Sequence, residues 1–135
     1  MNDAVLLDVQ DGIGLITLNR PESLNTFTAP MIAGLGEAYR ACDRDDAVRV
    51  VIVTGTGAAF CAGADMSSGG DSFEGTDGEP DFSSCPLGFQ AWELRKPVIA
   101  ACNGHAIGVG LGVALLADMR IFAEEGKYGL LQTRR

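Results

Sequence analysis

Two short runs constrain the fold of this chain more than any other feature. Arg49–Val53 is apolar through its middle and built of β-branched residues, and Pro97–Cys102 is apolar throughout. Neither alternates polar with apolar, as a strand with one wet face would, so both are expected as strands covered on both sides. Strands of that kind lie parallel and need long crossover connections, which places helices between them.

The rest of the chain reads around those two strands. Ala4–Val9 and Gly14–Leu18 are expected as strands joined at Asp11-Gly12, a tight hairpin signal. Asn19–Phe27 is a polar loop. From Met31 the apolar residues Met31, Ile32, Leu35, Ala38, Tyr39 and Cys42 recur at helical spacing, with Thr26 or Thr28 as N-cap and Pro30 in the first turn. Thr54-Gly55-Thr56-Gly57 stops the first buried strand. Residues 67–85 hold Asp71, Glu74, Asp77, Glu79 and Asp81, no basic residue and repeated Gly and Pro, and are expected as a mobile acidic loop. A second helix is expected from Ser84 or Cys85, with Pro86 at its first position, as far as Lys96, where Pro97 stops it. After the strand Pro97–Cys102 a glycine-rich turn leads into a helix through Ala117, and Met119–Ala123 is a last strand. The predicted order is β-β-α-β-α-β-α-β in one α/β domain of 135 residues with mainly parallel strands, and no internal repeat is visible.

Charge and cysteine usage narrow the function. Ten basic against 18 acidic residues give a net charge of −8, which repels nucleic acid and anionic membrane surfaces. Cys42, Cys61, Cys85 and Cys102 are scattered without a CxxC pair, and His105 is the single histidine, so neither a zinc set nor a disulfide framework is expected. The N-terminal residues lack the basic flank and apolar stretch of a signal peptide, and no apolar run approaches a membrane span. A soluble protein of the reducing cytoplasm is the expectation.

The chemistry is expected at two turns. Residues 103–112, NGHAIGVGLG, place four glycines between two apolar runs. A glycine-rich strand-to-helix turn presents unpaired backbone N–H groups at the positive end of a helix and lets another molecule approach closely. The alternative is that the glycines only let the helix pack tightly on its strand. A dinucleotide fingerprint does not fit, because Gly108, Gly110 and Gly112 are evenly spaced and follow a late strand; a GxxxxGK[ST] phosphate loop is absent too. Residues 55–66, GTGAAFCAGADM, form a second small-residue turn after a buried strand. Two such turns on neighbouring parallel strands could aim two N–H groups at one oxygen, the arrangement of an oxyanion hole.

With these motifs the chain resembles the crotonase superfamily, the enoyl-CoA hydratase and isomerase family. The resemblance runs through LNRPESLNTFT at 18–28, VVIVTGTGAAFCAGADM at 50–66 and KPVIAACNGHAIGVGLGVALLADMRIFAE at 96–124. It implies a crotonase-like ββα superhelix and an enzyme of fatty acid metabolism acting on acyl-CoA thioesters, as lyase or isomerase. The backbone N–H groups of Ala64 and Val109 would hold the thioester oxygen. Coenzyme A, part of the substrate and not a resident cofactor, would lie along Glu22, Ser23, Leu24, Ala62, Asp65, Met66, Ser67 and Gly108. The resemblance also implies a homotrimer or a dimer of trimers, and further helices in the longer chains of the family that close the acyl pocket. Residues 1–135 alone would leave apolar faces uncovered, so aggregation or obligate assembly is expected of them.

The two glutamates of the family's hydratases fall at Gly112 and Gln132, and neither residue can carry a proton at neutral pH. Among other candidates, His105 is read as packing or surface, Asp65 as the cap of a short helix, Asp118 as a structural hydrogen-bonding group, and the five acidic residues of 67–85 as solvated charge. Two function classes therefore stand: an acyl-CoA enzyme, and a CoA-ester binding or scaffold protein without catalysis. A peptidase reading lacks a placed Ser-His pair.

Overall fold

A computed structural model describes residues 3–65 and 88–130. The expected loop at 67–85, the start of the expected second helix, Met66, Ser67 and Gln132 lie outside the described residues. In chain order the elements are β1 (Val5–Gln10), β2 (Ile13–Leu18), α1 (Ala29–Arg44), β3 (Val50–Gly55), β4 (Ala59–Cys61), β5 (Val98–Cys102), β6 (His105–Ile107), α2 (Val109–Leu116), β7 (Met119–Phe122) and β8 (Tyr128–Gly129), with 3-10 turns at Pro21–Ser23 and Ala91–Glu93.

The hairpin forms where the sequence put it. Asp11 and Gly12 both take positive φ, 53° and 81°, as a two-residue turn that follows the strand twist requires. Among the described residues only β1 and β2 pair antiparallel; β2–β3, β3–β5 and β5–β7 are parallel, giving a five-stranded sheet in the order β1-β2-β3-β5-β7. In its central strands Val51, Val53, Val98 and Ala100 are buried on one face and Ile52 and Ile99 are half-buried on the other, so the missing alternation did report two covered faces.

Helix α1 starts as its sequence predicts. Thr28 is extended and its hydroxyl accepts the Met31 N–H at 3.4 Å, Pro30 sits in the first turn, and Met31, Leu35, Ala38, Tyr39 and Cys42 form the buried stripe packed on β1 and β2. The second helix is a correction. Within 88–96 only the single turn Ala91–Glu93 is helical, with the Glu93 carboxylate accepting the Gln90 N–H at 2.7 Å. Leu94 is already extended, because the next two residues are tied to the end of α1: the Arg95 N–H donates to the Asp43 carboxylate at 3.0 Å, and the Lys96 ammonium donates to the carbonyls of Cys42 and Asp45. Those tertiary bonds outweigh the local start and stop signals, Pro86 and Pro97, on which the helix is expected.

A second parallel sheet, β4-β6-β8, has no counterpart in the sequence reading. Its strands of three, three and two residues are too short to show a period. This small sheet carries both small-residue turns. At the far end of the larger sheet every residue of β7 is exposed, including the large apolar Met119 and Ile121 on one face and Phe122 on the other, and Leu115 and Leu130 are exposed as well. Among the described residues no helix is long and apolar enough to cross a membrane.

Candidate functional site

The turn after β4 is held along one edge by the loop that precedes α1. The Ala62 N–H donates to the Leu24 carbonyl at 3.0 Å, the Phe27 N–H to the Gly63 carbonyl at 2.8 Å, and the Asp65 N–H to the Phe27 carbonyl at 2.9 Å. This is a parallel bridge between Phe27 and Ala64, and in such a bridge the N–H of the middle residue, Ala64, points away from its partner. The opposite edge of β4 pairs with β6, Ala59 with His105 and Cys61 with Ala106. The Ala64 N–H therefore faces the side on which β6 ends and α2 begins. There the Cα of Gly63, with φ at 122°, turns its bare position toward the Ile107 carbonyl, 3.6 Å from where a Cβ would stand.

Gly108 makes the corner from β6 into α2. Its φ of 56° with ψ of −120° is open to glycine and to almost nothing else; its N–H donates to the Gly129 carbonyl at 2.9 Å and its carbonyl accepts the Gly112 N–H at 3.0 Å. Val109 is consequently the first residue of α2, where an N–H has no acceptor within the helix and lies at the positive end of its dipole. The remaining glycines divide by role. A side chain at Gly104 would overlap the Ala58 carbonyl and one at Gly110 the Cys61 carbonyl, whereas Gly112 has nothing within 4 Å of an added Cβ. The packing reading of the glycine-rich turn holds at two positions, where glycine permits close approach of α2 and β6 to β4, and that packing brings the start of α2 beside the Ala64 turn.

Three polar residues pin this arrangement, and sequence reasoning missed all three. Asn25 is fully buried; its Oδ1 accepts the Arg20 N–H at 2.7 Å and its Nδ2 donates to the carbonyls of Thr56 and Ala59, both at 2.9 Å. From the other side Asn103 donates to the carbonyls of Gly57 and Ala59 and accepts the Gly55 N–H at 3.0 Å. Arg20 reaches the Thr26 carbonyl at 2.7 Å, the Ser23 hydroxyl at 3.3 Å and the Asp65 carboxylate at 3.1 Å. The available signal was residue type: Asn tolerates the positive φ of 54° found at position 25 and can replace backbone partners in a turn.

The other expected contacts are distributed as follows. Glu22 is exposed on the 3-10 turn, Ser23 is half-buried, and Leu24, 43 % exposed with φ at 52°, presents its side chain outward. Ala62 is half-buried beside Leu24. The carboxylate of Asp65, read from sequence as a cap, is in an ion pair with Arg20. His105 is half-buried in β6 and its Nδ1 accepts the Lys127 N–H at 3.0 Å, a structural role. Asp118 accepts the Val98 N–H at 2.8 Å and returns its own N–H to the Val98 carbonyl, joining the end of α2 to β5. Burial pushes the thiols of Cys42 and Cys102 up to about 11, so both are protonated at neutral pH. Among the described residues no group of three or more His, Cys, Asp or Glu could hold a metal ion. A cavity of about 400 Å³ along α1, lined by Ala29, Ile32, Gly36 and Arg40 among others, includes neither Ala64 nor Val109. Chemically, the turns offer preorganised main-chain donors for a negative oxygen and leave proton transfer to other groups.

Comparison with known proteins gives the family and the fold. The family model for enoyl-CoA hydratase/isomerase matches residues 8–134. The chain is 40 % identical over 117 residues to a probable peroxisomal enoyl-CoA hydratase of Arabidopsis thaliana, covering 87 % of this chain and 43 % of that protein. It is 38 % identical over 134 residues to the 1,2-epoxyphenylacetyl-CoA isomerase of Escherichia coli, covering 95 % and 50 %. A crystal structure of a probable enoyl-CoA hydratase/isomerase from Mycobacterium abscessus superposes with a TM-score of 0.84 at 47 % identity, covering 96 % of this chain and 49 % of the other. The chain spans about half the length of the relatives it matches.

Proposed function

The chain belongs to the enoyl-CoA hydratase/isomerase family, and from that premise we propose that it acts on acyl-CoA thioesters by stabilising an enolate oxyanion between the main-chain N–H groups of Ala64 and Val109. The observation that carries this reading is the parallel bridge at Phe27, which turns the Ala64 N–H toward the flank where Val109 heads α2. Proton removal beside a thioester carbonyl moves charge onto its oxygen, and two donors fixed in advance stabilise that charge without reorganising. The side chain of Val109 leaves its N–H available and narrows the acyl side of the pocket. Coenzyme A lies along Glu22, Ser23, Leu24 and Ala62 and continues over Asp65, Met66, Ser67 and Gly108. The proton carrier is a carboxylate other than the side chain at 112.

The test uses acetoacetyl-CoA, whose enolate absorbs in the near ultraviolet and forms without an added base residue. Binding should raise the enolate fraction at fixed pH; binding with no spectral change would remove the oxyanion role, and no binding would remove the reading altogether. One observation favours the second class, a CoA-ester binding protein without catalysis: position 112 carries no acid. Turnover of any member of a panel of enoyl-CoA and β-ketoacyl-CoA esters decides against it. The exposed apolar side chains of β7 support assembly, and a homotrimer or dimer of trimers in the cytoplasm completes the proposal, to be checked by sedimentation.

A further inference from the structure

We infer that the Arg20–Asp65 ion pair is a positioning device that sets the Ala64 amide according to the state of the loop at 20–27, so that occupancy of the coenzyme end tightens the oxyanion end; this rests on the reading above. Arg20 is 22 % and Asp65 16 % exposed at the side chain, and the guanidinium holds acceptors on both segments at once. Its Nη1 bonds the Thr26 carbonyl, and its Nη2 bonds both the Ser23 hydroxyl and the Asp65 carboxylate, the residue directly after Ala64.

The main chain explains why this matters. Three backbone bonds zip residues 24–27 to residues 62–65, and each lies within two residues of Ala64. The Ala64 N–H itself takes no part in that zipper, so its direction is inherited from its neighbours on either side. Asp65 is the last of the zippered residues, and its side chain is drawn toward Arg20. A fork of donors with fixed geometry transmits a displacement of Ser23 to Asp65 better than a flexible single-point cation would. A thioester whose nucleotide end presses on Glu22, Ser23 and Leu24 would in this way be sensed at the donor.

The experiment combines amide hydrogen exchange with the enolate signal, using Asp65→Asn, Arg20→Met and the double variant. Asp65→Asn keeps shape and an acceptor while removing charge. Exchange at residues 62–65 should rise roughly tenfold in either single variant, and the bound acetoacetyl-CoA enolate should fall by a similar factor, short of the 10²–10³ expected when a donor is lost. The double variant should be no worse than the worse single one, as for two members of one unit. Unchanged exchange at 62–65 in Asp65→Asn, or a rise spread equally over β3 and β5, overturns the inference. Should the wild-type protein give no enolate, the functional reading fails while the exchange result still judges the pair. Should Arg20→Met fail to fold, Asp65→Asn carries the test alone.

Discussion

Gly110 lies so close to the Cys61 carbonyl that any side chain at 110 would overlap it, and this contact fixes the start of α2 against β4. Gly112, two residues farther along the same helix, faces open space. The two glycines should respond oppositely to substitution. Gly110→Ala should destabilise the protein by about 1–3 kcal/mol through overpacking against backbone. Gly112→Ala should stabilise it by up to about 1 kcal/mol, the gain of alanine over glycine inside a helix. Chemical denaturation of both variants checks the pair, and equal effects would mean that α2 is not seated as described.

Gly112→Glu should fold as well as the parent and place a carboxylate on the helix that presents Val109. Hydration of crotonyl-CoA, followed by loss of the enoyl absorbance, should rise above the parent's rate. A well-folded variant that binds the thioester without faster hydration would show that position 112 does not face the acyl carbon.

Val109→Pro removes one N–H at the position of a helix where proline fits best, so the fold should survive. Enolate formation from bound acetoacetyl-CoA should drop by roughly 10²–10³. Circular dichroism must stay unchanged for the loss to count, and an unchanged enolate signal would reassign the second donor.

Asn25→Ala takes the partner from the Arg20 N–H and from the Thr56 carbonyl and leaves the Ala59 carbonyl with Asn103 alone. The expected cost is at least about 2–3 kcal/mol, read as a lowered denaturation midpoint. Asn103→Ala, at an exposed residue that shares the Ala59 carbonyl, should cost less.

Cys42 and Cys102 should resist thiol reagents at pH 8 until the protein unfolds, because burial holds both near 11 against an ordinary value of 9.0. The raised values also set a sign for alkaline stability. Protonated thiols are favoured in the folded state, so the contribution is intact below pH 9 and is lost as pH rises toward about 11. Thermal melts of Cys42→Ala or Cys102→Ala should therefore fall less steeply over that window than those of the parent.

Much of this architecture was legible because it rests on local rules. The Asp11-Gly12 hairpin, the Thr28 cap with Pro30, and the unalternating strands β3 and β5 each declare themselves within ten residues. What escaped depends on distant partners. The segment before Pro97 is expected as helix from Pro86 and Pro97, yet Asp43 and the carbonyls of Cys42 and Asp45 hold Arg95 and Lys96 away from it. The strands of the sheet β4-β6-β8 pair with one another across long stretches of chain, and no two of them adjoin in sequence. In the candidate site the two small-residue turns were legible, while the roles of Arg20, Asn25 and Asn103 were not, since a side chain that replaces a backbone partner leaves no periodic trace.

The open space beside Gly112 means that the framework itself sets no limit there on a first side-chain carbon. Identity at that position is therefore free of the steric veto that a backbone carbonyl imposes at Gly110, so substitutions there test chemistry apart from architecture.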